Sequence, residues 1–323
     1  MSVTDILLFQ DQQEETYQLM GKGGFGKVYR VFNNLDNQYY AIKQIRVSKE
    51  NLTNALNEIR ILASISHPHV IRYHHSWISS CCCEIEEEED YDEDNSEDDD
   101  MLVETDGNVY FFNIQMEYCV STLRKYLNER TIVDVSHCYA IIYQMMDGLI
   151  FLHQHSIIHR DVKPDNVLIS SFQPFHIKIT DFGLAKKIAT SSDASSYVGT
   201  CLYAAPEQSQ KKFYYVSDVY SVGVIILEIQ SLFSTEMERI RCIQDLKQKR
   251  KVSCFYFGSL LLEMTDPDPT KRPTLSQIKN KWFISMETPL ILCRDLVWNI
   301  VNSILDKVVE GSPEQHSKYL LDG

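Results

Sequence analysis

The chain has 323 residues, 44% of them apolar and 24% charged, an ordinary globular composition long enough to bury a full-sized core in one large or two coupled domains. A net charge of −14 would exclude nucleic acid and anionic membranes as direct partners if it were spread evenly, but residues 84–106 hold 15 acidic side chains and no basic one. The remainder carries 30 acidic against 31 basic residues, so the acidity belongs to one segment.

Nine cysteines occur without a Cys-x-x-Cys pair, and Cys81-Cys82-Cys83 cannot all ligate one tetrahedral metal without severe backbone strain, so they read as reduced thiols. The start lacks a basic region followed by an apolar run, and no stretch approaches the ~18 apolar residues of a membrane span. A cytoplasmic protein is expected.

Along the chain, Gly21-Lys22-Gly23-Gly24-Phe25-Gly26-Lys27-Val28 lies between two strand-like runs, Thr16 to Met20 and Val28 to Phe32. Glycine lets a backbone approach phosphate and donate N–H groups to it. A dinucleotide-binding loop would open a helix, whereas a β-rich segment follows here and ends in Tyr40-Ala41-Ile42-Lys43, whose lysine can reach nucleotide phosphates. Residues 51–65 have apolar side chains at the helical period and include Glu58, either a solvated carboxylate or a partner that holds Lys43 in place. His67-Pro68-His69 breaks that helix, and Val70 to Ile78 resumes a strand that continues in Val109 to Met116. The acidic block between them cannot bury enough apolar surface to offset the entropy of ordering, and reads as a loop inserted in a sheet.

Helical patterns cover Thr122 to Asn128 and Ser136 to His155, with Ser136 as expected N-cap. Then comes His159-Arg160-Asp161-Val162-Lys163-Pro164-Asp165-Asn166, followed by Asp181-Phe182-Gly183. Moving a phosphoryl group to a hydroxyl needs a proton acceptor, a cation near the phosphate and oxygen ligands for magnesium. Asp161, Lys163, and the pair Asn166 and Asp181 supply these in turn. Val167 to Ile169 and Ile177 to Ile179 read as a hairpin that brings Asn166 and Asp181 to one end. Residues 184–204 are small and polar, and Ser217 to Gln230 is a strongly apolar helix whose Asp218 must be hydrogen-bonded if buried. Thr235-Glu236-Met237-Glu238 has the spacing of a capping box.

These motifs, in this order, resemble the eukaryotic protein kinase superfamily from about Tyr17 to Phe283, and Lys163 resembles its serine/threonine branch. The resemblance implies an α+β, two-lobed fold with a β-rich N-lobe over 1–118, interrupted by an insert at 80–107, and a helical C-lobe over 119–285. It implies ATP and Mg²⁺ as cofactors. Nucleotide contacts would come from Gly21, Gly23, Gly24, Phe25, Gly26, Val28, Ala41, Lys43, Glu58, Met116, Glu117 and Cys119. Arg272 looks like the partner of Glu207. Within the superfamily, Val70 to Ile78, Ile114-Gln115-Met116, Val198 to Tyr203, Pro206-Glu207-Gln208 and above all Phe233-Ser234-Thr235-Glu236-Met237-Glu238-Arg239 resemble the kinases of the alpha subunit of eukaryotic translation initiation factor 2. Ala204-Ala205 departs from that pattern. The narrower likeness implies a protein substrate, the initiation factor, docked on Thr235 and Glu238. Arg160 beside Asp161 points to a phosphate that orders the 184–204 loop, at Ser195, Ser196 or Thr200; Thr200 is the residue the likeness matches, and its other reading is a structural threonine bonded to Asp161 and Lys163. Residues 286–323 carry an amphipathic helical pattern suited to pack on the domain or on a twin subunit in a homodimer.

Overall fold

The computed structural model describes residues 17–23, 26–47, 49–81, 109–183, 185–187, 202–210, 212–251 and 258–281. Gly24, Phe25, the acidic insert from residue 82 onward, Ser195, Ser196, Thr200 and the 286–323 helix lie outside these residues. The chain divides into two compact units, 1–275 and 276–323, and all the strands, with the helices up to Met264, belong to the first.

Strands β1 (Tyr17–Gly23), β2 (Gly26–Asn33) and β3 (Gln38–Arg46) form an antiparallel meander, and helix α1 (Lys49–Ala63) follows. Strands β4 (Tyr73–Cys81) and β5 (Val109–Glu117) complete a five-stranded sheet in the order β1-β2-β3-β5-β4. Pairing of Ser80 with Tyr110 and Cys81 with Val109 carries the sheet two residues into the expected insert. The β4 strand also starts three residues later than its sequence pattern. Val70 forms only an isolated parallel bridge to Ile179, because residues 69–71 are spent on another pairing: Ile179 N–H donates to His69 O and Ile71 N–H to Ile179 O, both at 2.9 Å.

The helical lobe opens with β6 (Ser121–Thr122), α2 (Leu123–Glu129) and α3 (Val135–Gln154). Asp134 rather than Ser136 caps α3. Its carboxylate accepts from Ser136 N–H, Ser136 Oγ–H and His137 N–H at 2.8, 2.8 and 3.1 Å, which moves the cap two residues earlier. By length and composition α3 could cross a membrane, contrary to the sequence expectation, but half of it is buried in the fold, as in a core helix. Strand β7 (Ile157–Ile158) precedes the hairpin of β8 (Val167–Phe172) and β9 (Phe175–Ile179), and β10 (Lys186–Lys187) pairs back with β7. Next come α4 (Tyr215–Ile229), buried without interruption from Ser217 to Ile229, then α5 (Glu236–Lys249) and α6 (Gly258–Met264). A helix apolar on every face belongs in a core, and α4 is that core.

Two α3 residues fix the hairpin. The Gln144 side chain donates to Phe175 O and accepts from Ile177 N–H, both at 2.8 Å, satisfying the open edge of β9. At Gly148 the helix comes so close that an added Cβ would lie 2.8 Å from Ile179 Cδ1 and 3.0 Å from His69 O. Gly148→Ala is therefore expected to destabilise the fold by about 1–3 kcal/mol, since a backbone carbonyl cannot step aside as a side chain can. A thermal melt indistinguishable from that of the native chain would contradict this packing.

Candidate active site

The catalytic loop is shaped by one buried carboxylate. Asp218 on α4, 1% exposed, accepts from His159 N–H and Arg160 N–H, each at 3.0 Å, and pairs with His153 Nε2 at 2.8 Å. These bonds hold Arg160 at φ 72, the left-handed region that non-glycine residues rarely occupy. Asp161 follows at once and is buried. Its Oδ2 accepts from Lys163 Nζ at 2.8 Å and from Asn166 Nδ2 at 3.0 Å, and the same Asn166 N–H₂ group reaches Asp161 O at 2.9 Å. With its amide nitrogen committed, Asn166 keeps a carbonyl oxygen, a hard donor suited to magnesium.

The hairpin sets the second metal-type ligand beside the first. Val167 pairs with Ile179, Thr180 N–H donates to Asn166 O at 3.0 Å, and the chain turns at Asp181, φ 67. Lys43 Nζ lies 3.1 Å from Asp181 Oδ1 and 2.8 and 2.9 Å from the two Glu58 oxygens. Glu58 is thus the inward partner of Lys43, buried to 2% exposure, and not a solvated surface carboxylate. Burial pulls the Lys43 ammonium toward neutrality, but Glu58 and Asp181 outweigh it and hold the pKa above the usual lysine range. Burial likewise pushes Asp181 up, and Lys43 prevails, keeping the carboxyl below its ordinary value. Asn57 Nδ2 donates to Ala185 O at 2.7 Å, so α1 also grips the segment just past Asp181-Phe182-Gly183.

The glycines of the first hairpin are not equivalent. Gly26 has φ 119, and a Cβ there would lie 2.1 Å from Gln44 O, so only glycine fits; Gly21 has open space around it. Gly23 pairs with Gly26, and Val28 with Lys43. Ala41 pairs with Met116, and both are buried. Cys119 is a buried free thiol whose pKa burial pushes up to about 12, which makes it unreactive. Glu117 ends β5, and its side-chain carboxylate is engaged within the protein. That carboxylate accepts from Arg72 N–H at 2.7 Å and pairs with Lys178 at 2.9 Å, fastening the end of β5 to β9.

Lys163, Asn166 and Asp181 open into a cleft of about 1110 Å³ whose far end is lined by Ser234, Thr235 and Glu236. Along its wall runs a network that sequence reasoning missed. The buried Glu228 accepts from Arg124 at 2.8 Å and from the Tyr203 hydroxyl; both Arg124 and Arg239 donate to that hydroxyl, Arg239 at 2.9 Å. Its bonded pairs are separated by 11 to 104 positions, so no local motif announces them. Thr235 and Glu238 are exposed at the start of α5, where Thr235 Oγ1 accepts from Glu238 N–H at 3.1 Å. Glu238 returns to Ser234 N–H at 2.7 Å, one residue short of the reciprocal bond that the spacing suggested.

The donor set fits magnesium with nucleotide. Asn166 and Asp181 offer two oxygen ligands, the few that Mg²⁺ takes from protein when phosphates and water supply the rest. Among the described residues, no group of three His, Cys, Asp or Glu side chains is arranged to hold a metal alone. His67 and His69 do converge on Asp147 at 3.3 and 3.9 Å, but His67 Nδ1 accepts His69 N–H at 3.1 Å. That bond leaves the proton on Nε2, the atom facing Asp147, where a metal would need a lone pair.

Residues 15–284 match the model of the protein kinase domain family. The chain is 29% identical to the eIF-2-alpha kinase GCN2 of Arabidopsis thaliana, over 91% of its own length and 27% of that protein. To the interferon-induced, double-stranded RNA-activated protein kinase of Mus musculus it is 31% identical, over 84% of its length and 50% of the relative. A GCN2 kinase of Schizosaccharomyces pombe is 25% identical, over 82% and 23% respectively. The chain thus spans between about a quarter and a half of these relatives. The family match and the relatives together support a protein serine/threonine kinase.

Asp218 generates a pH expectation. Burial pushes its carboxyl up, but His153 and the loop N–H groups pull it below the usual aspartate value. A folded pKa below the unfolded one stabilises fully above the ordinary carboxylate range, and the gain is lost as pH falls through the depressed value. The melting temperature should hold from neutrality down to about pH 4 and drop below it. Asp218→Asn should lower the plateau and flatten the acid limb; an acid limb as steep as that of the native chain would assign the transition to other carboxyls.

Proposed function

The chain belongs to the protein kinase domain family, and from that premise we propose that it transfers the γ-phosphoryl group of ATP to serine or threonine hydroxyls of a protein. The substrate we assign is the alpha subunit of eukaryotic translation initiation factor 2, phosphorylated in the cytoplasm to restrain translation under stress. The observation that carries the chemistry is the meeting of Lys163, Asn166 and Asp181 on one cleft that runs on to the first turn of α5, with Asp161 bonded to Asn166 and Lys43 to Asp181.

When bound, magnesium and ATP supply the phosphoryl group and neutralise its charge. The chain's own residues do the rest by position and electrostatics. Asp161 accepts the proton of the attacking hydroxyl as that oxygen bonds to phosphorus and ADP leaves. Lys163, 2.8 Å from Asp161, sits where charge develops on the group in transit. Lys43, held by Glu58, orients the remaining phosphates, and Asn166 and Asp181 would hold the metal. Support for the substrate comes from the relatives described as eIF-2-alpha kinases and from the exposed Thr235, which lines the cleft, with Glu238 exposed beside it on the first turn of α5.

Two experiments test the two levels separately. Asp181→Asn should abolish transfer to any acceptor while leaving the melt close to native. Lys43→Ala is a poorer probe, because removing one partner of a buried pair costs about 3–5 kcal/mol and strands Glu58. Measurable transfer by Asp181→Asn would overturn the chemistry. For the substrate, Asp caps a helix about as well as Thr, so Thr235→Asp preserves α5 but adds charge to its exposed start. It should sharply reduce phosphorylation of the folded initiation factor and spare short peptides; equal loss on both, or on neither, would overturn the docking assignment.

A further inference from the structure

Leu202 and Tyr203 line the cleft, and besides the contacts of the Tyr203 hydroxyl with Arg124 and Glu228 they are held by α5. From the first turns of α5, Arg239 donates to the Tyr203 hydroxyl at 2.9 Å. Two turns on, Lys247 Nζ donates to Leu202 O at 3.2 Å and to Ala204 O at 3.1 Å, and the ammonium lies 5.6 Å from the centre of the buried Tyr220 ring. The wall then continues inward: Ala205 N–H donates to Gln208 Oε1 at 2.7 Å, and Gln208 Nε2 donates to Arg160 O at 3.0 Å, one residue from Asp161.

We propose that Lys247 is a positioning residue for the phosphate-accepting chain: by holding the carbonyls on either side of Tyr203, it sets the distance between the cleft wall and Asp161, and ties that distance to α5. Leu202 and Ala204 offer carbonyls outside any helix or sheet ladder, and a charged donor on those carbonyls forms stronger hydrogen bonds than a neutral one. The same helix starts at the exposed Thr235 and Glu238, so contact with a protein at that end and the width of the cleft are mechanically one variable. Lys247 itself does not line the cleft and touches no reacting atom. The inference rests on reading the cleft as the site of the phosphate-accepting chain.

The test uses the full chain, ATP with magnesium, and a degenerate pool of serine and threonine peptides. Lys247→Met keeps the length of the side chain and removes its donors. It should raise the KM for peptide about tenfold, the scale on which small misplacements act, while the KM for ATP stays put. Lys247→Arg restores charged donors and should bring the peptide KM back to within about twofold of native. An unchanged peptide KM in Lys247→Met would overturn the proposal. So would a parallel rise in both KM values with no rescue by arginine, since that is the mark of a merely structural residue. If Lys247→Met does not fold, Lys247→Gln, which keeps an uncharged donor, should give an intermediate peptide KM, and a native value there would overturn the proposal as well. Failure of the native chain to phosphorylate any peptide would instead count against the kinase reading on which the inference rests.

Discussion

A carboxylate inside an apolar helix is costly unless donors surround it, and the catalytic loop is the set of donors that Asp218 requires. Burying an unpaired charge costs several kcal/mol, so the loop N–H groups of His159 and Arg160 and the His153 ring cannot leave without exposing that penalty. The same bonds fix Arg160 in a backbone conformation it would not otherwise hold. Ten residues further along α4, Glu228 repeats the arrangement with Arg124, Tyr203 and Arg239. At ~1.5 Å per helical residue the two carboxylates stand about 15 Å apart along the axis. One buried helix therefore spaces the loop that carries Asp161 from the cleft wall. A third buried carboxylate, Glu207, joins the scheme through Ser217 Oγ at 2.8 Å and the two-pronged Arg272 pair at 2.7 and 2.8 Å.

The Lys43, Glu58 and Asp181 contacts work differently. Their net contribution to stability is small, because desolvation of three charged groups offsets most of the attraction. What they give is a geometry: Lys43 reaches both carboxylates only with α1 turned inward and Asp181 in its left-handed conformation. Asn57 reinforces the inward position from the next residue of α1, through Ala185. Separate elements thus meet at one ammonium, and an arrangement of that kind is sensitive to anything that moves α1.

Contiguous motifs were legible because the chemistry itself dictates their residue types. Asp161 through Asn166 and the hairpin to Asp181 are legible in the sequence alone, since period-two strands joined by a short turn bring their ends together. The pairing of Glu58 with Lys43 was one of two readings of that carboxylate and is the one found, while the pairing of Glu207 with Arg272 followed from resemblance and was found as expected. The Glu228 network was not legible: an arginine on α2, a tyrosine in a loop, and two residues on α4 and α5 meet only through tertiary packing. Local rules also failed where two residues could do one job. Asp134 and Ser136 are both good caps, and Asp134 won because one carboxylate oxygen satisfies three donors. Glycine frequency alone could not tell Gly26, where backbone would clash with any side chain, from Gly21, where none would.

The first turn of α5 commits its polar residues to holding the helix start. Capping commits Thr235 Oγ1 to Glu238 N–H and one Glu238 oxygen to Ser234 N–H. Glu236 is likewise committed, to Arg239 at 2.8 Å. Met237, between them, is 80% exposed. A long, flexible thioether at a fixed helix start offers apolar contact without a rigid shape requirement. The polar residues of this turn thus hold the helix end steady, and the apolar side chain stands clear of it. A protein that binds here meets an ordered backbone, so the entropy of fixing the turn has already been met before contact, and the interaction keeps more of its free energy as affinity.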